Sequence, residues 1–401
     1  MRVLNDLAFF VSDGMRIFTS FAIVLSGGSY KVMIQIAILA FLEFIGVYPR
    51  AIYAISGGVP NAIGYMLKKA WRLHAIWFDV DPDKFYAIGW WRLLFAPLFS
   101  RRRPAFGAQS LLKDKLLRGI LDREIDYAAL LKSPITLWIG ALDLRTGKVV
   151  WFSNHDNGMT PSRFRDIVHA SMRIPIFFAP VPVDNMQLAD AGLVTNLPIG
   201  RAIKAGYTKI LALNALPKEF PAEPIPALET WPEIEVRNTD VAHLVEQERH
   251  RTGIPKVNAH LACVKRIVEE ILPLIPDEAR AELMVIIDAM PYSRKLAVDL
   301  CLVEAPAKIA IFKKDGSYGY PSPDARFEIL GAGLGAIGKV HDFLVKSGML
   351  SAMTEQAVKL FGIDFTLGAV RAWFATEKPG VSYSEEELGV AINNIATTSY
   401  L

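Results

Sequence analysis

Two short apolar runs in this chain each break into a glycine turn and then continue into a long helical pattern. Ser56 stands at the second break, in Arg50-Ala-Ile-Tyr-Ala-Ile-Ser-Gly-Gly58. A serine pushed out of a tight strand-to-helix bend has the setting of a nucleophile, whose weak hydroxyl needs a base beside it. The first break, Ala22-Ile-Val-Leu-Ser-Gly-Gly-Ser-Tyr-Lys31, can offer backbone N–H groups around Gly27, Gly28 and Ser29 to an anion. The two turns lie about 30 residues apart, and together they suit acyl transfer, with a nucleophile next to an oxyanion hole.

A base must complete the set. A Ser-His-Asp arrangement needs a histidine, and the chain has His74, His155, His169, His243, His250, His260 and His341. Only His155 falls just after an expected strand, and each of the seven reads as a surface or helix histidine. Asp190, in Gln187-Leu-Ala-Asp-Ala-Gly192, follows an extended segment and precedes a short helix and strand. An aspartate in a turn commonly caps its own backbone. To act as a base it would have to reach the Ser56 hydroxyl, with its pKa tuned by its surroundings.

Positioning these groups takes buried strands that feed helices. Residues 1–20 read as a helical lead-in and Phe21 to Leu25 as a strand. Lys31 to Phe44, apolar on nearly every face, reads as a helix buried between layers. Arg50 to Ile55 is a second strand, and Pro60 suits the first turn of the next helix. Pro134 to Leu144 and Lys148 to Ser153 form a hairpin around Arg145-Thr-Gly147, followed by a helix from Pro161 to Ser171. Phe177 to Met186 is an extended approach to Asp190. A short helix from Pro198 to Ala205 and a strand from Lys209 to Asn214 come next. Pro217 to Pro232 is a proline-marked loop, and helices dominate from Asp240 to Met290. Ala307 to Phe312 reads as a late strand and Pro323 to Leu344 as a helix. This alternation predicts an α/β sheet with helices on both faces.

Composition narrows the partners. The 401 residues allow one large domain or two, and the net charge of +3 is too small to imply a nucleic-acid partner. Hydrophobic residues reach 52% and mean hydropathy +0.27, with ordinary charge content. Cys263 and Cys301, without a CxxC or Cys/His cluster, argue against a disulfide framework or a structural zinc. The apolar run from Val32 to Val47 is interrupted by Gln35, Glu43 and Gly46 and is shorter than the roughly 20 residues of a spanning helix. The start of the chain lacks the pattern of a signal peptide. The expected location is the cytoplasm, with peripheral contact at a membrane.

The ordered set Ser26-Gly-Gly-Ser-Tyr-Lys31, Ala54-Ile-Ser-Gly-Gly58 and Asp190-Ala-Gly192 resembles the patatin-like phospholipase family. That family carries a G-G-G-x-[RK]-G oxyanion loop, a G-x-S-x-G elbow and a D-G-[GA] motif. Leu142-Asp-Leu-Arg-Thr-Gly147, Ala170-Ser171 through Pro175, Phe177 to Pro180, and Asn196-Leu-Pro198 extend the likeness. It is close over residues 20–215 and looser to 345. The resemblance implies a three-layer α/β/α fold with a mostly parallel central sheet and additional C-terminal helices. It also implies a catalytic domain over residues 1–345, with its looser helical part at 235–345, and a C-terminal extension over 346–401. Carried over, Ser56 is the nucleophile and Asp190 the base. Backbone groups of Gly27, Gly28 and Ser29 form the oxyanion hole, and Lys31 takes the family's basic position. Gly58 and Gly192 support the two turns. The implied activity is a lipid acyl hydrolase of phospholipase A or lysophospholipase type, acting on a lipid ester without cofactor or metal.

Several glycines of the family pattern are replaced here, by Ser29 and Val32 in the loop, Ala54 in the elbow and Ala191 in the dyad motif. Positive φ at any of these positions would cost about 1–2 kcal/mol. The replacements motivate an alternative, a lipid-binding or scaffold protein that keeps the fold without turnover. Gly333-Leu-Gly-Ala-Ile-Gly338 spells GxGxxG but lacks a preceding strand and a ribose-binding acid, so it reads as a small-residue helix face packed on a neighbour. His155-Asp156 and His341-Asp342 lack the further ligands of a metal site. Aromatic bulk from Phe85 onward beside Arg101, Arg102 and Arg103 fits either an interfacial lipid-binding segment or a lid.

Overall fold

Side chains along a strand alternate between the two faces of its sheet, so a strand covered on both sides feeds two separate cores. A computed structural model describes residues 17–70, 115–175, 178–218, 231–289, 297–305 and 323–349. In β1 (Ile17–Leu25), Phe21, Ile23 and Leu25 enter one core, whereas Ala22 and Val24 enter the other. In β2 (Val47–Ala54), Ile52 and Ala54 take the first side and Ala51 and Tyr53 the second.

Helix α1 (Met33–Phe44) follows β1 through a single 3-10 turn, Ser29–Val32, and is buried along its length as its all-round apolar pattern requires. After β2 comes α2 (Gly58–Met66), then α3 (Lys115–Glu124) and α4 (Tyr127–Leu131). The hairpin β3 (Thr136–Asp143) and β4 (Lys148–Ser153) leads into α5 (Pro161–Ser171), started by Pro161 and capped by the Thr160 side chain on Arg163 N–H. Next are β5 (Val181–Val183), β6 (Met186–Asp190), α6 (Ile199–Lys204) and β7 (Lys209–Pro217). The later elements are α7 (Trp231–Arg266), α8 (Asp277–Ala289), β8 (Asp299–Ala305), α9 (Pro323–Gly335) and α10 (Ile337–Lys346).

The eight strands form one sheet in the order β5-β6-β3-β2-β1-β7-β8, with β4 paired to β3 off this path. The pairs from β3 through β2, β1 and β7 to β8 are parallel, and those of β4, β5 and β6 are antiparallel. Helices α1, α2, α5, α9 and α10 line the first core, and α6 with Ile254 of α7 lines the second. This is the expected mostly parallel α/β/α sandwich. Parallel strands end on one edge of such a sheet, and the turns there converge at a topological switch point. The turns after β1 and β2 are two of them.

Several expectations change. Ile17, Phe18 and Thr19, expected in a helical lead-in, are strand because they pair with Val47, Tyr48 and Pro49 of β2, and the rest of that lead-in lies outside the described residues. A neighbouring strand overrides a weak local preference there. The strand expected at Ala307 to Phe312 lies outside the described residues, and the strand seen is β8, which pairs with β7 from Lys209 to Asn214 and again, after a register shift, at Pro217. Asp299 and Glu304 hide it in a sequence reading. The helix expected from Pro323 to Leu344 is two helices that part at Ala336. Trp231 and Pro232 open α7 rather than ending a loop. The Phe85 to Arg103 segment lies outside the described residues, as does most of the C-terminal extension.

Gly333 has the packing role anticipated for it. A Cβ there would meet the Ile34 carbonyl oxygen at 2.4 Å and the Ala37 Cβ at 3.1 Å, so α9 lies directly on the α1 backbone. Gly333→Ala must push the two helices apart and is expected to cost on the order of 1–3 kcal/mol, read as a lower urea midpoint. An unchanged midpoint would contradict this close contact.

Candidate active site

The turn after β1 is held from below by a buried polar network. Gln35 of α1 donates to the carbonyls of Ser26 at 3.0 Å and Leu213 at 3.1 Å. Asn61 of α2 donates to Gln35 Oε1 at 3.0 Å and to the Val32 carbonyl at 2.9 Å. Ser26 Oγ accepts from Ala215 N–H at 2.8 Å. Both amides and Ser26 are fully buried, and each bond satisfies a group that would otherwise be costly there. The network ties β1, β7, α1 and α2 to one turn. Lys31 is also buried, and its N–H closes the turn on the Gly28 carbonyl at 3.1 Å.

Gly28 has a φ of +142°, where L side chains rarely sit. Ser29 and Val32, which stand where the family has glycines, lie in the right-handed 3-10 turn, with φ −65° at Val32. Ala54 ends a β-strand and Ala191 opens a second 3-10 turn. None of these replacements carries backbone strain.

Ser56 does. Its φ is +51°, one of three positive values among the described non-glycine residues. Such a conformation costs roughly 1–2 kcal/mol and tends to collect where a side chain must be aimed. The bend is closed by Gly58 N–H on the Ile55 carbonyl at 2.9 Å and Val59 N–H on the Ser56 carbonyl at 2.9 Å, which start α2. Gly58 has no room for a side chain, because a Cβ would lie 2.6 Å from the Ser26 carbonyl oxygen. Gly27 is packed against the serine itself. A Cβ on Gly27 would stand 2.6 Å from Ser56 Cβ and 3.3 Å from its Oγ.

Asp190, at the end of β6, is buried to 2% exposure, with the Ser56 hydroxyl near enough to favour its ionised form. Its backbone N–H donates to the Arg173 carbonyl at 2.8 Å, in the segment after α5, and its Oδ1 accepts from Gly192 N–H at 2.8 Å. The capping reading of Asp190 therefore also holds, on one oxygen. Desolvation pushes its pKa up from 3.8 to about 6, against the opposing pull of the Ser56 hydroxyl and Gly192 N–H. Such a carboxylate is ionised at neutral pH and is more basic than an exposed one.

The structure thus brings together Ser56, Asp190, Gly27 and Gly192, with Gly58 and Lys31 beneath. Of the histidines, His155 is exposed and bonds Thr136 and the Ser133 carbonyl, and His169 pairs with Asp122 at 3.0 Å. His243 is different. Its Nε2 bonds the Gly192 carbonyl, from a long helix that also sends Glu246 to the loop after Asp190. The sequence reading set His243 aside as a surface or helix histidine and did not reach Glu246, although His243, Glu246, Gln247 and His250 recur at helical spacing and mark a polar face. Among the described residues no group of three or more His, Cys, Asp or Glu is placed to hold a metal, and no helix is long and apolar enough to cross a membrane.

A known family is similar over part of this chain. Residues 23–203 match the family model described as patatin-like phospholipase, so the resemblance carried by the motifs holds over that span. The family is one of lipid acyl hydrolases. A comparison with curated proteins gave no match. Among solved structures, the crystal structure of VipD from Legionella pneumophila matches at 12% identity over 95% of this chain and 80% of that one, with a TM-score of 0.32. A TM-score at that level carries no argument about this chain.

Proposed function

We propose that this protein is a serine acyl hydrolase of lipid esters that works through a Ser56–Asp190 dyad. One observation carries the reading: a strained serine at a strand-to-helix bend lies beside a buried aspartate whose pKa is raised to about 6. Asp190 takes the proton as Ser56 Oγ attacks the ester carbonyl. Backbone N–H groups of Gly27, Gly28 and Ser29 receive the oxyanion, and collapse of the tetrahedral species expels the alcohol as it takes the proton from Asp190. Water, deprotonated by the same carboxylate, then attacks the acyl-serine, and Asp190 returns that proton to Ser56 Oγ as the fatty acid leaves. The substrate class, a phospholipid or lysophospholipid, rests on the family match. Exposed Leu193 and Val194, on the turn that carries Asp190, suit an apolar substrate.

The alternative without turnover drew on the replaced glycines, and their unstrained backbones remove that motive. The test is labelling by a fluorophosphonate together with fatty-acid release from mixed phospholipid and lysophospholipid vesicles. Both should be lost in Ser56→Ala. Labelling that survives the substitution sinks the dyad, and vesicle binding with no release from any lipid favours the scaffold reading.

The packing of Gly27 makes a second test. Gly27→Ala would place a Cβ 2.6 Å from Ser56 Cβ and 2.7 Å from Asn196 Oδ1, so the serine or the turn must move. A displacement near 1 Å costs about a hundredfold in well-positioned reactions, and kcat should fall by that order. Wild-type kcat in Gly27→Ala would rule out an oxyanion role for this turn.

A further inference from the structure

The loop that leaves Asp190 is gripped on its far side by a single carboxylate. Glu246, on α7, accepts from the Thr195 hydroxyl at 2.6 Å, from Asn196 N–H at 2.8 Å and from Leu197 N–H at 3.4 Å. Asn196 is 1% exposed, and its Nδ2 donates in turn to the Gly27 carbonyl at 3.4 Å. Carbonyl and N–H point in opposite directions across a trans peptide. An Asn196 that holds the Gly27 carbonyl therefore also sets the direction of the Gly28 N–H. Gly28 itself sits at φ +142°, a region open to glycine and rarely to other residues, so neighbours must hold the turn in place.

We propose that Glu246 is a positioning residue for the oxyanion hole: it fixes the loop through Thr195, Asn196 and Leu197, and Asn196 passes that order to the Gly27–Gly28 peptide. The hydrogen bonds of Glu246 go to Thr195, Asn196 and Leu197 and not to Ser56. It lies outside the residues 23–203 matched by the family model, on a helix that the motifs do not reach. The buried grip of His243 on the Gly192 carbonyl holds the other end of the same loop. Together they make α7 the wall on which the loop is set. The inference deepens the hydrolase reading and rests on it for its kinetic part.

The experiment compares Glu246→Ala, Glu246→Gln, Asn196→Ala and the double variant Glu246→Ala/Asn196→Ala in the full chain. Two readouts are needed, kcat and KM on a soluble short-chain ester, and hydrogen exchange of the peptide spanning residues 26–30. Full loss of one oxyanion donor costs about a hundredfold to a thousandfold, so a donor left in place but unfixed should lower kcat by roughly thirtyfold. KM should stay within about twofold, because the donor acts in the transition state. Glu246→Gln should recover most of the loss: its Oε1 can still accept from the two backbone N–H groups, and the Thr195 hydroxyl can turn to accept from its amide. The double variant should be no slower than Asn196→Ala alone, since the two residues act in series. Exchange at residues 26–30 should quicken about tenfold in Glu246→Ala as the turn opens more often.

An unchanged kcat, a loss confined to KM, an additive double variant, or unchanged exchange would each overturn the proposal. Asn196→Ala reads the same link without touching α7, so a Glu246→Ala chain that fails to fold leaves the test intact. Absence of Ser56-dependent turnover in the unaltered protein would count against the hydrolase reading alone, because exchange reports the clamp without catalysis.

Discussion

Ser56→Ala is expected to lower ester turnover by a factor on the order of 10⁴ or more, the scale on which nucleophile removal acts in serine hydrolases. The loss should appear on every ester tested, since the acyl-enzyme step is common to all. Stability offers a separate reading of the same position. Ser56→Ala and Ser56→Gly both delete the hydroxyl beside Asp190, but only glycine relaxes the backbone φ of +51°. The glycine variant should therefore be more stable than the alanine variant by about 1 kcal/mol. Fatty-acid release and urea titrations of the two variants check both halves. Turnover retained in Ser56→Ala would remove the nucleophile, and equal stability of the pair would mean the bend is not strained.

Asp190→Asn should reduce kcat by on the order of 10³, within the range by which general bases contribute. The pH dependence carries more information. With a pKa of about 6, Asp190 loses its basic form as pH falls through that value, so kcat/KM of the unaltered protein should drop about tenfold per pH unit below it. The residual activity of Asp190→Asn should lack that limb. The effect on stability has the opposite sign. Folding raises this carboxyl from 3.8 to about 6, so the folded chain holds the proton more tightly than the unfolded one. The resulting stabilisation is fully present below about pH 4 and is lost as pH rises through about 6. At pH 7 the ionised group costs on the order of 3 kcal/mol relative to its protonated form, and asparagine never ionises. Asp190→Asn is therefore expected to be the more stable protein at pH 7, with the advantage disappearing near pH 4. A flat pH–rate profile in the unaltered protein, or no gain in midpoint at pH 7, would show that Asp190 is not the base described.

A stabilising substitution that removes activity is what a buried catalytic carboxylate predicts. Sites of this kind hold strain and desolvated charge that a sequence optimised only for folding would discard. In this chain the strain sits at Ser56 and the desolvated charge at Asp190. The Gln35–Asn61 network and the loop on Glu246 are what oppose their relaxation.

Much of this was legible along the chain because it depends on short-range chemistry. The continuous apolar runs in Phe21 to Leu25 and Arg50 to Ile55 marked two buried strands, since both faces of a covered sheet are apolar. Pro161 marked a helix start, and Gly28 and Gly58 stood where the backbone leaves no room or no ordinary φ for a side chain. The order of Ser56, Asp190 and the glycine turn was enough to point to acyl transfer. Other features depend on partners distant in sequence. Ile17 to Thr19 became strand only through Val47 to Pro49, and β8 only through β7, because ladder bonds are made with a neighbour and not within a segment. Ser29, Ala54 and Ala191 could be judged only from their backbone angles. Composition and spacing determined the strands, the bends and the candidate nucleophile and acid. The tertiary structure alone decided that Asp190 is buried, that this burial raises its pKa, and that Glu246 of a remote helix holds the loop after Asp190. Desolvation and convergent hydrogen bonds arise only when separate segments pack together.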